Sequence, residues 1–140
     1  MYAGALKVRS SGTSLYITCG HFIAPSGEEI FAVLGEDRIL YTPIESDIGK
    51  NYAIRVVKGA GWNVKKIRVG RIGSIATYTI PKGFAKYLNI EKGSLVLAVG
   101  SKTTLEIIPL STVIAKLGSF REPTTLIAEI LTSENEEGSV

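Results

Sequence analysis

Cys19 and His21 stand two residues apart in the stretch GTSLYITCGHF, from Gly12 to Phe22. On a strand, positions i and i+2 share a face. A thiol and an imidazole so placed could meet as a nucleophile and its base. Each is the only residue of its type in the chain, and nothing nearby supplies an orienting third group or an identifiable oxyanion site. One cysteine and one histidine exclude an intrachain disulfide, a thiolate metal cluster and a multi-histidine zinc site. Gly59-Ala60-Gly61 lacks the Lys-Ser/Thr that follows a phosphate loop. The expectation is a protein without catalytic residues, metal or cofactor, with Cys19 a small buried hydrophobe.

The remaining chemistry lies in the cations. The net charge of +3 conceals strong segregation along the chain. Residues 1–20 carry Lys7 and Arg9 and no acid, whereas residues 21–49 carry six acids against Arg38 alone. Residues 50–92 then carry ten Lys and Arg against only Glu91. A cationic block of that size calls for an anionic partner, nucleic acid first. The competing reading is a solvated, lysine-rich face. Glutamine is absent and Met and Cys occur once each, a thinning of labile side chains that fits a heat-adapted chain.

At 140 residues, 45% hydrophobic and 21% charged, the chain can build a real core as one domain or two intertwined small ones. No apolar run approaches the ~20 residues that cross a bilayer, and the N-terminus lacks a signal-peptide pattern. A cytoplasmic protein is expected. Period-two runs bounded by turn residues predict strands at 15–17, 29–34, 38–41, 54–57, 76–80, 95–99 and 104–108. Gly35-Glu36-Asp37 and Gly100-Ser101-Lys102 mark hairpins. Pro81 opens a short helix that places Phe84, Leu88 and Tyr87 on one face. Arg68 and Arg71 precede the strand at 76–80 as a basic lead-in, and Lys7 and Arg9 precede the one at 15–17.

The chain also repeats itself. Gly27–Ile44 aligns without a gap to Gly93–Leu110, with Gly27/Gly93, Ala32/Ala98, Val33/Val99 and Pro43/Pro109 coinciding. Upstream, Gly12–Gly20 aligns to Gly73–Pro81 with Thr18 on Thr79. The offset changes from 61 to 66 where the second copy has its helix and the first has only HFIAPS. This predicts a duplicated β-β-(α)-β-β unit with a degraded first copy. Such a unit is too small to bury its own sheet faces. Two of them, from one chain or from two, can close a barrel together.

The second copy resembles the AbrB/MazE/SpoVT swapped-hairpin family. The residues that carry the likeness are Lys65, Lys66, Arg68, Arg71, Gly73, Thr79-Ile80-Pro81, Phe84-Ala85-Lys86 and Leu88-Asn89-Ile90-Glu91-Lys92-Gly93, followed by the two strands. The match is clear over residues 66–110 and degenerate over 6–44, where Cys19-Gly20 replaces Ile-Pro. The resemblance implies a mainly β fold with short helices, a pseudo-duplicated swapped-hairpin (cradle-loop) β-barrel. It also implies a homodimer that binds double-stranded DNA on the nucleoid, as a transcription regulator or an architectural factor. An antitoxin or another protein-interaction module is the alternative.

By the family pattern Arg68 and Arg71 lead DNA recognition, where a planar guanidinium can grip phosphate or guanine. Lys65 and Lys66 add phosphate attraction, and Lys7 and Arg9 occupy the matching lead-in of the first copy, expected on the same face. Lys82 and Lys86 on the short helix either flank a groove or face water. Trp62, among glycines and beside Lys58 and Arg55, either stacks on a base or caps a core. The expected organisation is a degenerate repeat (1–48), a basic connector (49–65), a repeat (66–110), a helical appendage (111–132) and an acidic tail (133–140). In the appendage, helices are expected at 111–118 and 123–131. They either cover an open barrel end or bind a protein partner.

Overall fold

The computed structural model describes residues 1–44 and 64–117. The strand expected at 54–57, the residues Arg55, Lys58 and Trp62, the second C-terminal helix and the acidic tail lie outside the described residues. Five strands come from the first copy: β1 (Tyr2–Lys7), β2 (Arg9–Ser11), β3 (Ser14–Cys19), β4 (Glu29–Leu34) and β5 (Ile39–Thr42). The second copy supplies β6 (Val64–Arg68), β7 (Gly70–Ile72), β8 (Ile75–Ile80), α1 (Lys82–Leu88), β9 (Leu95–Gly100) and β10 (Leu105–Pro109), followed by α2 (Leu110–Leu117). The protein is thus mainly β with two short helices among the described residues.

The strands form two sheets, one ordered β1-β9-β10-β5-β4-β6 and the other β2-β3-β8-β7. Both orders read the same when the copies are exchanged, since β1 answers β6, β4 answers β9 and β3 answers β8. Every strand of this correspondence keeps the two offsets found in the sequence. The pairing crosses between copies: β1 lies antiparallel to β9, and β6 to β4. The centre of each sheet, β10 with β5 and β3 with β8, is also a contact between copies. Neither copy completes a sheet alone.

Four strands, β1, β2, β6 and β7, fall outside the period-two runs. VKKIR and GRI carry too few apolar residues to announce themselves. They become strands because the other copy's hairpin offers an edge, so tertiary pairing overrides local pattern. Val64 already belongs to β6, so Lys65 sits in a strand rather than in a connector. The elements that were expected hold to within a residue or two, and α2 ends at Leu117, just before Gly118.

The joints between β1 and β2 and between β6 and β7 are the residues that lock one copy to the other. Val8 and Val69 are both 1% exposed. Val8 N–H donates to Ser94 O and accepts from Gly93 N–H at its carbonyl, both at 2.8 Å. Val69 repeats this with Glu28 O at 2.9 Å and Gly27 N–H at 2.8 Å. Gly27 and Gly93 have φ of 91° and 89°, left-handed values that only glycine adopts without strain. The coincidence of these two glycines in the sequence repeat therefore has a backbone cause.

The core draws on the inner faces of both sheets. Ile17, Ile30, Tyr41, Tyr78, Phe84, Leu105 and Ile107 are all buried in one cluster. Phe84 and Ala85 are the buried residues of α1, and Leu88 packs against them. Tyr87, expected on the same face, is 45% exposed; the packed sector runs from Phe84 through Leu88 to Ala85, and Tyr87 falls about 60° outside it, beyond Phe84. Asn89 ends the helix in the left-handed region with φ of 59°.

Helix α2 packs on β9 and β10 through Val113. Its Lys116 also reaches Asp37 in the β4–β5 turn of the other copy. Burial pushes the Asp37 carboxyl pKa up, but hydrogen bonds from Arg38 and Lys116 outweigh it and hold the group below the usual carboxylate range. A carboxylate held low stabilises the fold above its unfolded-state pKa, and that contribution is lost as pH falls through the lowered value. Asp37→Asn should therefore cost about 1 kcal/mol near neutral pH. In urea melts its deficit against wild type should shrink below about pH 4, where the unfolded carboxyl protonates. A deficit independent of pH would assign the effect to packing instead.

Candidate functional site

The crossed pairing redistributes charge. β6, from the cationic block, lies against β4, from the acidic block. Glu29 is directly opposite Arg68, and Lys66 is 3.8 Å from the Glu29 carboxylate. The Arg68 guanidinium donates to Gly27 O at 3.0 Å. Lys65 is opposite Ala32, on the core-facing row of this outermost strand, and reaches water from there. Inward-pointing charge of this kind blunts a sheet edge. Lys7, the counterpart of Arg68, is exposed at the far edge of the same sheet, opposite Leu95. Five sheet spacings separate these two edges, ~24 Å if the sheet were flat.

The four-stranded sheet differs. It and α1 are built from residues 9–20 and 70–90, which contain Arg9, Arg71, Lys82 and Lys86 and no Asp or Glu. All four cations are exposed. Unlike Lys66 and Arg68, none has a carboxylate on the neighbouring strand. The outer face of this sheet carries Ser11, Ser14, Tyr16, Thr18, Thr77 and Thr79, by the pairing of Arg9 with Tyr16 and Tyr16 with Thr79. Hydroxyls of this kind can donate to phosphate oxygens. The result is an acid-free surface, polar except for Ile72 and Ile75 at one end, with cations at its margins.

The register places Lys7 and Arg68 at the two edges of the large sheet and puts Arg9 and Arg71 on different rows of the small one. Lys7 and Arg68 are true counterparts, but they occupy opposite edges of the six-stranded sheet. Arg9 corresponds to Gly70, and Arg71 to Ser10, one residue out of step. One residue reverses the face. Arg9 lies on the outer face with Tyr16, whereas Arg71 shares its row with buried Ala76 and Cys19. Arg71 reaches solvent because β7 is the outermost strand.

Cys19 and His21 do come close, but through the backbone: the thiol donates to the His21 carbonyl at 3.6 Å. The His21 ring stacks on Tyr2 with centroids 5.6 Å apart, and its Nε2–H donates to Ser101 O. Tyr78 Oη donates to His21 O at 2.7 Å and accepts from Ile23 N–H at 3.2 Å. These bonds pin the loop that stands where the second copy has α1, with Ile23 and Ala24 buried. Burial, with a smaller contribution from Cys19, pushes the Tyr78 phenol up to about 12 despite the Ile23 hydrogen bond. Burial likewise raises the Cys19 thiol, opposite to what a nucleophile needs. A Cβ on Gly100 would lie 2.6 Å from His21 Cδ2. Gly100→Ala should thus destabilise the fold by about 1–3 kcal/mol in urea unfolding; an unchanged midpoint would mean the ring is free to leave.

Two residues of this sheet escaped the sequence reading. Ile72 and Ile75 face each other across the β7–β8 turn, 58% and 43% exposed. Their counterparts Ser11 and Ser14 pair across the β2–β3 turn. The offset of 61 sets Ser11 and Ser14 against them, a signal that has meaning only with β7 a strand. Among the described residues no helix is long and apolar enough to cross a membrane. No protein-family model, curated protein or solved structure matches the chain.

Proposed function

We propose that this protein is a non-enzymatic binder of duplex DNA, a transcription regulator or an architectural factor, and that its fold is a single-chain swapped-hairpin barrel of the AbrB/MazE/SpoVT kind. The observation that carries the binding reading is the acid-free sheet. Where β6 crosses to β4, Glu29 stands beside Lys66 and Arg68, whereas among the described residues Arg9, Arg71, Lys82 and Lys86 belong to a sheet and helix without an acid. The phosphate backbone of a duplex is the anion that suits dispersed cations and hydroxyls. The palindromic strand order supports the barrel reading, because it gives one chain the twofold arrangement that a dimer would otherwise supply.

On this reading Arg71 and Arg9 lead, Lys82 and Lys86 assist, and Lys7 extends the surface at the bend into the large sheet. Arg68 and Lys66 contribute less, being set against Glu29, and Lys65 stands beside them on the same strand. The alternative of a protein partner held by the C-terminal segment has less support, since α2 is tied to its own barrel by Lys116 and Asp37. Binding of a fluorescent duplex by anisotropy across ~50–300 mM salt tests the proposal. A steep decline with salt is expected. No binding at the lowest salt would end the DNA reading.

A further inference from the structure

The two hairpin tips of the four-stranded sheet have the same backbone and opposite chemistry. Each turns through two residues, Gly12-Thr13 and Gly73-Ser74, with the glycines at φ of 60° and 61°. Glycine at the first central position defines the tight turn that matches strand twist. The residues flanking the turn are therefore free to vary: serines do the work in the first copy, isoleucines in the second. Folding of the hairpin does not demand Ile72 and Ile75, yet they stand exposed at its end. Arg71 precedes them in the chain, and no carboxylate belongs to this sheet.

The ends of the sheet differ in a consistent way. Leu15 is opposite Ile80, so the polar Gly12-Thr13 tip lies beside the start of α1 with Lys82. Cys19 is opposite Ala76, so the apolar Gly73-Ser74 tip lies at the other end. One end offers cations and hydroxyls, the other a branched apolar pair beside an arginine. Exposed apolar side chains beside a basic residue suit the minor groove, where they unstack a base step and bend the duplex.

Resting on the DNA reading above, we infer that the Ile72–Ile75 tip is a wedge that enters the minor groove and kinks the duplex on one side only. The Ser11–Ser14 tip tracks the backbone without deforming it, so the pseudo-symmetric protein sits on DNA with a polarity. Charge complementarity selects the occupant. A second copy of the chain would bring Arg71 and Arg9 against the same cations, and an apolar protein groove would leave them unused.

The test separates binding from deformation. Wild type and Ile72→Ser/Ile75→Ser, which copies the first tip, are titrated into a duplex carrying donor and acceptor dyes at its ends and 2-aminopurine at central steps. Affinity by anisotropy should change by less than about tenfold, because phosphate contacts carry most of it. Wild type should raise energy transfer and 2-aminopurine emission, and the double variant should lose both signals. The reciprocal Ser11→Ile/Ser14→Ile should add a second bend. Wild-type binding without bending, or bending that survives in the double variant, overturns the wedge while leaving the DNA reading intact. Absence of any binding by wild type removes both together. Circular dichroism melts confirm that the variants fold.

Discussion

Alanine at Arg9, Arg71, Lys82 and Lys86 together is expected to remove measurable duplex binding above ~100 mM salt while leaving the fold unchanged. Four phosphate contacts release about four counterions' worth of salt dependence, a log–log slope near −3.6. Between 50 and 200 mM salt the wild type should then lose about a hundredfold in affinity. Each single substitution should lower the slope by about one. The control is the set Lys65→Ala, Lys66→Ala and Arg68→Ala. Arg68 and Lys66 sit beside Glu29, with Lys65 on the same strand, so removal of the three should change the slope by less than one in total. If this control set carries the loss and the sheet does not, the binding surface is the edge of the large sheet. The proposed site would then be wrong even though DNA binding stands.

The contrast between these two sets also shows what was legible in the sequence. The duplicated unit could be read from paired glycines and hairpin patterns, because backbone geometry at Gly27 and Gly93 admits no other residue without strain. The strands β3, β4, β5, β8, β9 and β10 announced themselves through period two. The charge map did not survive folding. Ten cations against one acid is a property of a segment, and β6 pairs with an acidic segment of the other copy. Which cations remain uncompensated depends on β1 and β6 crossing over. VKKIR carries no local sign of that crossing. The placement of Arg71 was hidden for a related reason. Its face follows from a one-residue difference between Arg9 and Arg71 relative to the repeat, which matters only once β2 and β7 are known to be strands. Phosphate-facing residues on this protein are thus determined by register, and register is a property of the pair rather than of either strand.

Cutting the chain into residues 1–63 and 64–140 should give two fragments that are unfolded apart and native together. Both sheet centres and both outermost pairings of the large sheet join one copy to the other. A fragment alone keeps only its hairpins, which are marginal in water. Either fragment could instead pair with itself, since the copies share one plan, and the core argues against that outcome. Ile17 is directly opposite Tyr78 at the middle of β3 and β8, and both are fully buried. The Tyr78 ring also packs at 5.4 Å from Tyr41, whose counterpart in the second copy is Ile107. A dimer of the second fragment would oppose two Tyr78 side chains across the axis and remove Tyr41 from beside each. A dimer of the first would oppose two Ile17 side chains and leave a void where Tyr78 belongs. Overpacking and cavities cost about 1–3 and 2–5 kcal/mol respectively, so the mixed pair should win. Mixing equimolar fragments should restore a cooperative melt and a near-ultraviolet tyrosine signal, and size-exclusion chromatography should return one species with one copy of each. A fragment that melts cooperatively as a monomer would show that the two copies fold independently, against the crossed pairing. A self-dimer as stable as the mixed pair would mean that the Ile17–Tyr78 match does not select between partners.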